Sequence, residues 1–392
     1  IGGVASNYSL AAVPLFIFMG ACLEGSGMAR RLFNALRSWM GWLPGGVGIS
    51  AIAMCAVFAA GTGIVGAVEV MVGLLAIPAM LREGYSRSII SGTICAGGSL
   101  GTIIPPSLVV IIYASVGQLS VGDLFAGILL PGLMMVVLFP GYIMIASRWS
   151  VDPARIVVDE EARALSAAPL GRKLVMTAYA LVPPMLLMTS VIGSIMLGIA
   201  AVTEAAAVGA AGAVVLKLFY REFSWTGLMA AARTTVRLTS MIMLIVVGGT
   251  LFTSVFRVNG GATMIRELVL ALNMSEMALI LALLAVVFVM GALLDWVSVV
   301  LICVPIFLPV LPLTGADPLW FAVLVIVVIQ TSYLTPPMAP SIFYLRGIAP
   351  ANFSYRDMYL GVLPFVLCQL LVLVALLFFP GLATYLPELF RP

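Results

Sequence analysis

Apolar runs of about 20 residues, the length that spans a bilayer as a helix, fill most of the chain, with short polar segments between them. Lipid offers no partner for backbone N–H and C=O groups, so a spanning segment must satisfy them itself, which leaves helical bundles or closed barrels. Barrel strands alternate apolar and polar residues, and runs such as residues 278–289 do not. The pattern predicts an all-α integral membrane protein.

Some apolar runs are interrupted. A helix over about residues 10–22 is followed by an amphipathic stretch, 28–42, carrying Arg30, Arg31 and Arg37. Two short apolar halves, 45–58 and 68–81, flank the small-residue segment 59–63. Each half is too short to cross comfortably, and the pair suits a re-entrant hairpin. Residues 88–100 are apolar, 101–107 break the run with Pro105-Pro106, and 108–116 resume. Proline removes a donor and clashes with the preceding turn, so a double proline unwinds a membrane helix.

Full spans are expected near residues 124–146, 174–192, 198–216 and 238–256, with a polar connector at 148–173 and an amphipathic one near 225–237. A second hairpin is expected over 278–309, with its tip at 291–296, and a second broken span over 319–345 with Pro336-Pro337 at the break. The halves correspond in order. Gly66 and Glu69 precede Pro78 as Gly291 and Asp295 precede Pro305; Asp123 precedes Pro131 as Asp357 precedes Pro364. The chain therefore divides into a leading helix and arm (1–44), a first repeat (45–147), a connector (148–173), the spans and arm of the second repeat (174–272), and its hairpin, broken helix and last span (273–392).

Positive charge sets orientation, because Lys and Arg collect in cytoplasmic loops. Threading the spans puts all 19 basic residues but Arg257, Arg266 and Arg391 on one face, with the hairpins entering from opposite sides. The repeats are expected to be inverted. Composition agrees: 63% of residues are hydrophobic and 9% charged, against about 25% charged in soluble domains. The chain opens on Ile1, not Met, and a native leading segment is expected before it.

Inverted repeats with paired hairpins and broken helices belong to secondary transporters that bind at the repeat interface. A broken helix exposes carbonyls at one end, which suit a hard cation, and N–H groups at the other, which suit a carboxylate. Two quasi-symmetric cation sites are expected. At one, Gly61, Thr62 and Gly63 of the first tip face Gly101, Thr102 and Ile104. At the other, Gly291 faces Tyr333, Leu334 and Thr335. Substrate is expected between them, near Thr62, Pro105, Pro106, Asp295, Pro336 and Pro337, with Thr250 on the pathway after Gly248-Gly249.

Sodium fits better than a proton. Proton relays use His or carboxylate chains, whereas this chain has no His and places only Glu69, Glu204 and Asp295 at membrane depth. Glu69 and Asp295 are open between a functional and a capping role; Glu204 is expected to anchor packing between spans. The five cysteines lie apart in apolar runs and read as buried free thiols. Gly97-Gly98-Ser99 lacks the Gly-Lys-Ser/Thr ending of a nucleotide loop, so no organic cofactor is expected, nor any nucleic acid.

The segment 61–80, the run 99–107, Thr203-Glu204-Ala205-Ala206-Ala207-Val208-Gly209 and Leu334-Thr335-Pro336-Pro337 together resemble the DctM-like large membrane subunit of tripartite ATP-independent periplasmic (TRAP) transporters. The similarity covers essentially the whole chain. It implies an elevator carrier in the bacterial or archaeal inner membrane with two sodium sites, a small membrane subunit, and a periplasmic binding protein that delivers an organic acid. The family's Ser-rich first tip reads Gly61-Thr62-Gly63-Ile64 here, and its Thr-Pro before the Thr-Glu-Ala segment reads Ala201-Val202. A tip poorer in hydroxyls suits a more apolar acid. A stand-alone sodium–carboxylate symporter, a channel and a membrane enzyme are the competing readings, the last without an acid–base or metal constellation to support it.

Overall fold

The computed structural model describes residues 7–24, 27–63, 65–150 and 167–390. The chain start, Arg391 and most of the expected 148–173 connector lie outside the described residues. After a 3-10 turn, Tyr8–Ala11, come α1 (Ala12–Glu24) and α2 (Met28–Met40). The first hairpin is α3 (Gly46–Thr62) and α4 (Val65–Arg82). The first broken span is α5 (Arg87–Ser99), a 3-10 turn at Leu100–Thr102, and α6 (Leu108–Gly117). Then follow α7 (Val121–Ser150), α8 (Leu170–Met196), α9 (Val202–Phe219), α10 (Trp225–Val258) and the short α11 (Gly261–Leu272). The second hairpin is α12 (Glu276–Leu293) and α13 (Trp296–Phe307), and the second broken span is α14 (Pro318–Leu334) and α15 (Pro340–Ile348). The helices α16 (Tyr355–Phe378) and α17 (Gly381–Phe390) complete the fold.

Local chemistry sets the helix starts. The side chains of Ser86, Ser224, Ser275 and Asp317 each accept a hydrogen bond from the backbone N–H three residues on. Each satisfies one of the orphan donors at its helix N-terminus. Glu204 does the same in reverse: its carboxylate accepts the Ala201 N–H at 3.0 Å. That makes it a cap of α9, a more local role than the expected anchor between spans.

Between the hairpins the chain crosses by the α5–α6 broken span and then by α7, α8, α9 and α10. That odd number of crossings sends the hairpins in from opposite faces, so the repeats are inverted. Residues 225–237 are not a separate amphipathic connector but the first turns of α10, since no Gly or Pro interrupts the run between Met229 and Gly248. The second arm is α11, which precedes the second hairpin as α2 precedes the first.

The packing falls into two sets. Helices α1, α2, α8, α9 and α10 hold together on one side, with α1 against both α9 and α10. Their polar end is tied by Arg31, which pairs with Glu222 and lies 4.8 Å from the Tyr220 ring centroid. The second Glu222 oxygen accepts the Gly27 N–H at 2.8 Å, and Trp39 Nε1–H donates to Thr177 Oγ1 at 2.8 Å. The hairpins and broken spans form the other set: the first hairpin packs on α5, and the second packs on α14, which is buried from Leu319 to Leu334. Helix α16 packs on α5 and α14, and α15 packs on α4.

Candidate functional site

The first hairpin turns at Gly63, whose φ of +57° is the left-handed conformation that favours glycine. A Cβ there would also come 2.9 Å from the Pro106 carbonyl oxygen. The turn therefore sits directly on the first break. From the other strand of the contact, a Cβ on Gly101 would lie 3.6 Å from the Val65 backbone. The break itself is held by hydroxyls: Thr102 Oγ1–H donates to the Ser99 carbonyl at 2.8 Å, and Ser107 Oγ–H to the Thr102 carbonyl at 2.6 Å.

The second half repeats this contact. A side chain on Gly291 would collide with Ser332, and the Met338 N–H donates to the Ala292 carbonyl at 3.2 Å across hairpin and break. Thr335 Oγ1–H and Ser332 Oγ–H cap the end of α14 by donating to the Thr331 and Ile329 carbonyls. In both breaks the Pro–Pro peptide is cis.

Between the two hairpin tips lies a cavity of about 360 Å³. It is lined by Gly63, Val65 and Gly66 of the first tip and by Asp295, Trp296 and Val297 of the second. Leu108 and Val109, beyond the first break, face it, as do Tyr333, Pro340 and Tyr344 around the second. Ile17 of α1 and Leu238, Met241, Ile242 and Ile245 of α10 close the remaining side. Four helices begin on this wall: α4 at Val65, α6 at Leu108, α13 at Trp296 and α15 at Pro340. A helix N-terminus carries orphan N–H groups and about half a positive charge. The α13 end is already capped by the Asp295 carboxylate and α15 opens on a proline, which has no N–H, so the ends of α4 and α6 are the ones left to favour an anion; among the described residues no Lys or Arg lines the cavity.

Not every sequence candidate reaches this site. Gly61 and Thr62 are the last residues of α3, not part of an open tip. A Cβ on Gly61 would meet Met188 and Leu23, so that position faces α8 and α1 and not the first break. Thr62 is 2% exposed, its hydroxyl donates to the Phe58 carbonyl at 3.0 Å, and it packs against Gly20. The chain turns at Gly63, the last residue of the expected tip, because the Ala-Ala-Gly-Thr run before it continues the helix until a positive φ is required. Thr250 lies in a separate cavity of about 920 Å³, with Asn7, Ser115, Thr253, Ser254 and Arg257, and its hydroxyl donates to the Val246 carbonyl. Pro105 and Pro106 are buried, while Pro336 and Pro337 are exposed. Ile104 faces Gly132, and Leu334 is fully buried.

Asp295 sits at the cavity as the N-cap of α13, accepting from the Val297 N–H at 3.0 Å and from Ser298 Oγ–H at 2.6 Å. Glu69 lies one turn behind Gly66, fully buried. Its Oε1 accepts from Ser341 Oγ–H, and its Oε2 has no hydrogen-bond partner among the described residues. Sequence reading missed Gly66 as a wall residue, and with it Trp296, Tyr344 and Ser341. Gly66 is bare because the Tyr344 ring would stand 2.6 Å from its Cβ. The available signal was position: Trp296 opens the helix after Asp295, and Ser341 and Tyr344 lie in the first turns after Pro340.

The family model described as the DctM component of the tripartite ATP-independent periplasmic transporter matches residues 2–382. The C4-dicarboxylate TRAP transporter large permease protein of Pseudomonas aeruginosa is 30% identical over 389 residues, covering 98% of this chain and 87% of that protein. The ectoine/5-hydroxyectoine large permease of Ruegeria pomeroyi is 32% identical, covering 97% and 86%. The 2,3-diketo-L-gulonate large permease of Escherichia coli is 28% identical, covering 96% and 86%. Among solved structures, the YdaH transporter of Alcanivorax borkumensis superposes with a TM-score of 0.67 at 15% identity, over 97% of this chain and 87% of that one. At that identity the likeness speaks for the fold.

Proposed function

The chain belongs to the DctM component family of tripartite ATP-independent periplasmic transporters, and from that premise we propose that it is the sodium-coupled carrier subunit for a small organic acid. It is a multi-pass protein of the inner membrane, and its curated relatives are named as transporter permeases. The observation that carries the substrate class is the opening of the uncapped N-termini of α4 and α6 on one cavity, with no basic side chain among its described lining residues. A carboxylate binds there to backbone N–H groups and the positive ends of helix dipoles. A volume of about 360 Å³ is at the small end of ligand pockets, which run from about 300 to 1,000 Å³.

Relatives are named for C4-dicarboxylates, ectoine and 2,3-diketo-L-gulonate. Here the wall is mostly apolar, with Ile17, Leu108, Val109, Leu238, Met241, Ile242 and Ile245 around the helix ends. That lining fits a monocarboxylate with an apolar body better than a polyol acid. Sodium belongs at the carbonyl ends, where α3 meets the first break and α12 meets the second. Carbonyl and hydroxyl oxygens are the ligands a hard cation takes. The hairpins and broken spans move as an elevator past α1, α2 and α8–α10. A small membrane subunit and a periplasmic binding protein complete the tripartite system.

The test is uptake into proteoliposomes holding both membrane subunits and the matching binding protein. The panel is a C4-dicarboxylate, a branched aliphatic acid, an aromatic acid and a sugar acid. Each is run with an inward sodium gradient, with potassium in its place, and without binding protein. Uptake of an apolar acid that needs both sodium and binding protein is expected. Sodium-driven uptake without the binding protein would favour a stand-alone symporter, and indifference to sodium would remove both cation sites.

A further inference from the structure

A buried polar contact joins the two broken helices behind the cavity. Ser99 stands six residues before Pro105, and Gln330 stands six residues before Pro336. They are the same position in the two repeats. In the folded chain they meet: Gln330 Nε2–H donates to Ser99 Oγ at 3.3 Å, and both residues are 0% exposed. A residue that touches its own repeat equivalent lies on the pseudo-twofold axis relating the two units. Gln369 of α16, also fully buried, donates to the same Ser99 oxygen at 3.3 Å. The Ser99 hydroxyl in turn donates to the Ala96 carbonyl at 2.8 Å.

A buried amide at the centre of an apolar helix such as α14 is costly, and it is retained where it specifies an arrangement. Here the arrangement leads to both breaks. From Ser99, the Thr102 and Ser107 hydroxyls carry the chain of hydrogen bonds through the first break to the start of α6. From Gln330, Ser332 is half a turn further along α14, against Gly291 of the second hairpin. One side-chain contact thus stands between two unwound segments that each face a hairpin tip.

We propose that Gln330 is a positioning residue that couples the two cation sites, the Ser99–Gln330 contact transmitting occupancy of one break to the other. The proposal rests on the two-sodium reading above. Binding at one break draws its carbonyls onto the ion and shifts the end of α5; Ser99 moves with it, and Gln330 carries the shift to the end of α14. By linkage, each ion changes the affinity for the other by the same factor, and a shift that draws both breaks into their ion-bound form raises it.

The experiment is a sodium titration of uptake into proteoliposomes holding the complete transporter and its binding protein. The wild-type chain, Gln330→Met, Ser99→Ala and Gln369→Met are compared, with thermal stability of each measured in detergent. The expected wild-type Hill coefficient approaches about 2, the number of proposed sites. Gln330→Met and Ser99→Ala bring it towards 1, with maximal uptake at saturating sodium kept within about two-fold. Gln369→Met removes a bond to the same oxygen from a helix that is not broken, and keeps the wild-type coefficient. Ser99→Ala removes one oxygen and serves if Gln330→Met does not fold. A wild-type coefficient retained in both coupling variants, or lost equally in Gln369→Met, overturns the proposal. So does a wild-type chain that needs sodium but responds hyperbolically. Wild-type uptake indifferent to sodium instead overturns the proposed function itself.

Discussion

Glu69 and Ser341 are 272 residues apart in sequence and joined by a hydrogen bond from Ser341 Oγ–H to Glu69 Oε1 in the interior. The bond ties the returning helix of the first hairpin to the first turn after the second break. It crosses the repeats, as the Ser99–Gln330 contact does. The close fit around it is unusual in one respect: a Cβ on Gly98 would come 1.9 Å from Glu69 Cγ.

That fit predicts a compensating pair. Gly98→Ala alone should destabilise the protein by about 1–3 kcal/mol through overpacking. Glu69→Ala alone should also destabilise the protein, through the cavity it leaves and the loss of the Ser341 partner. The double variant should be less damaged than the sum, because the new methyl group fills space that the lost side chain leaves. A double-mutant cycle on thermal stability in detergent checks this, and strict additivity would show that the two positions do not share that space.

Asp295 separates a cap from a charge. Its carboxylate accepts from the Val297 N–H and from Ser298, and an asparagine keeps an acceptor at the same place. Asp295→Asn should transport within about two-fold of wild type, while Asp295→Ala should lose about 0.5–2 kcal/mol of local stability and most uptake. If Asn proves as inactive as Ala, the negative charge does more than cap α13.

Gly63 holds the first tip in a left-handed conformation against the Pro106 carbonyl. Gly63→Ala should cost about 1–2 kcal/mol at that turn and displace the hairpin from the break. The expected readout is a raised half-saturating sodium concentration with protein abundance in the membrane unchanged. An unaltered sodium response would show that this tip does not build a cation site.

Tyr344 sets the size of the cavity against the bare backbone of Gly66. Tyr344→Ala should raise KM for the native acid and admit a bulkier one, with the sodium response unchanged. Competition uptake with a series of acids of increasing chain length measures it; an unchanged size preference would place the substrate elsewhere.

Much of this architecture was legible in the residues because the membrane makes local rules decisive. With no water to satisfy backbone groups, every long apolar run has to be a helix. For the same reason Pro105-Pro106 and Pro336-Pro337 had to be breaks. Pro105 follows Pro78 by 27 residues and Pro336 follows Pro305 by 31, so the same order of hairpin proline and double proline recurs in both halves. Where local rules are silent, the structure departs from these expectations. The helix of the first hairpin runs through most of the small-residue segment 59–63 and turns only at its last residue, Gly63, and α10 continues unbroken through residue 237.

By itself, the sequence determined an all-helical membrane protein of two inverted units with paired hairpins and breaks. Those features follow from hydrophobic length, proline position and charge bias, each read within one segment. Only the tertiary structure decided which helix ends meet. Nothing local in Val65, Leu108, Trp296 or Pro340 shows that four N-termini share one cavity, or that Thr250 lies in another. Nor does it show that Ser99 touches Gln330. Such contacts depend on how distant helices pack, and packing is settled by the joint fit of side chains across the whole core, not by any one stretch of chain.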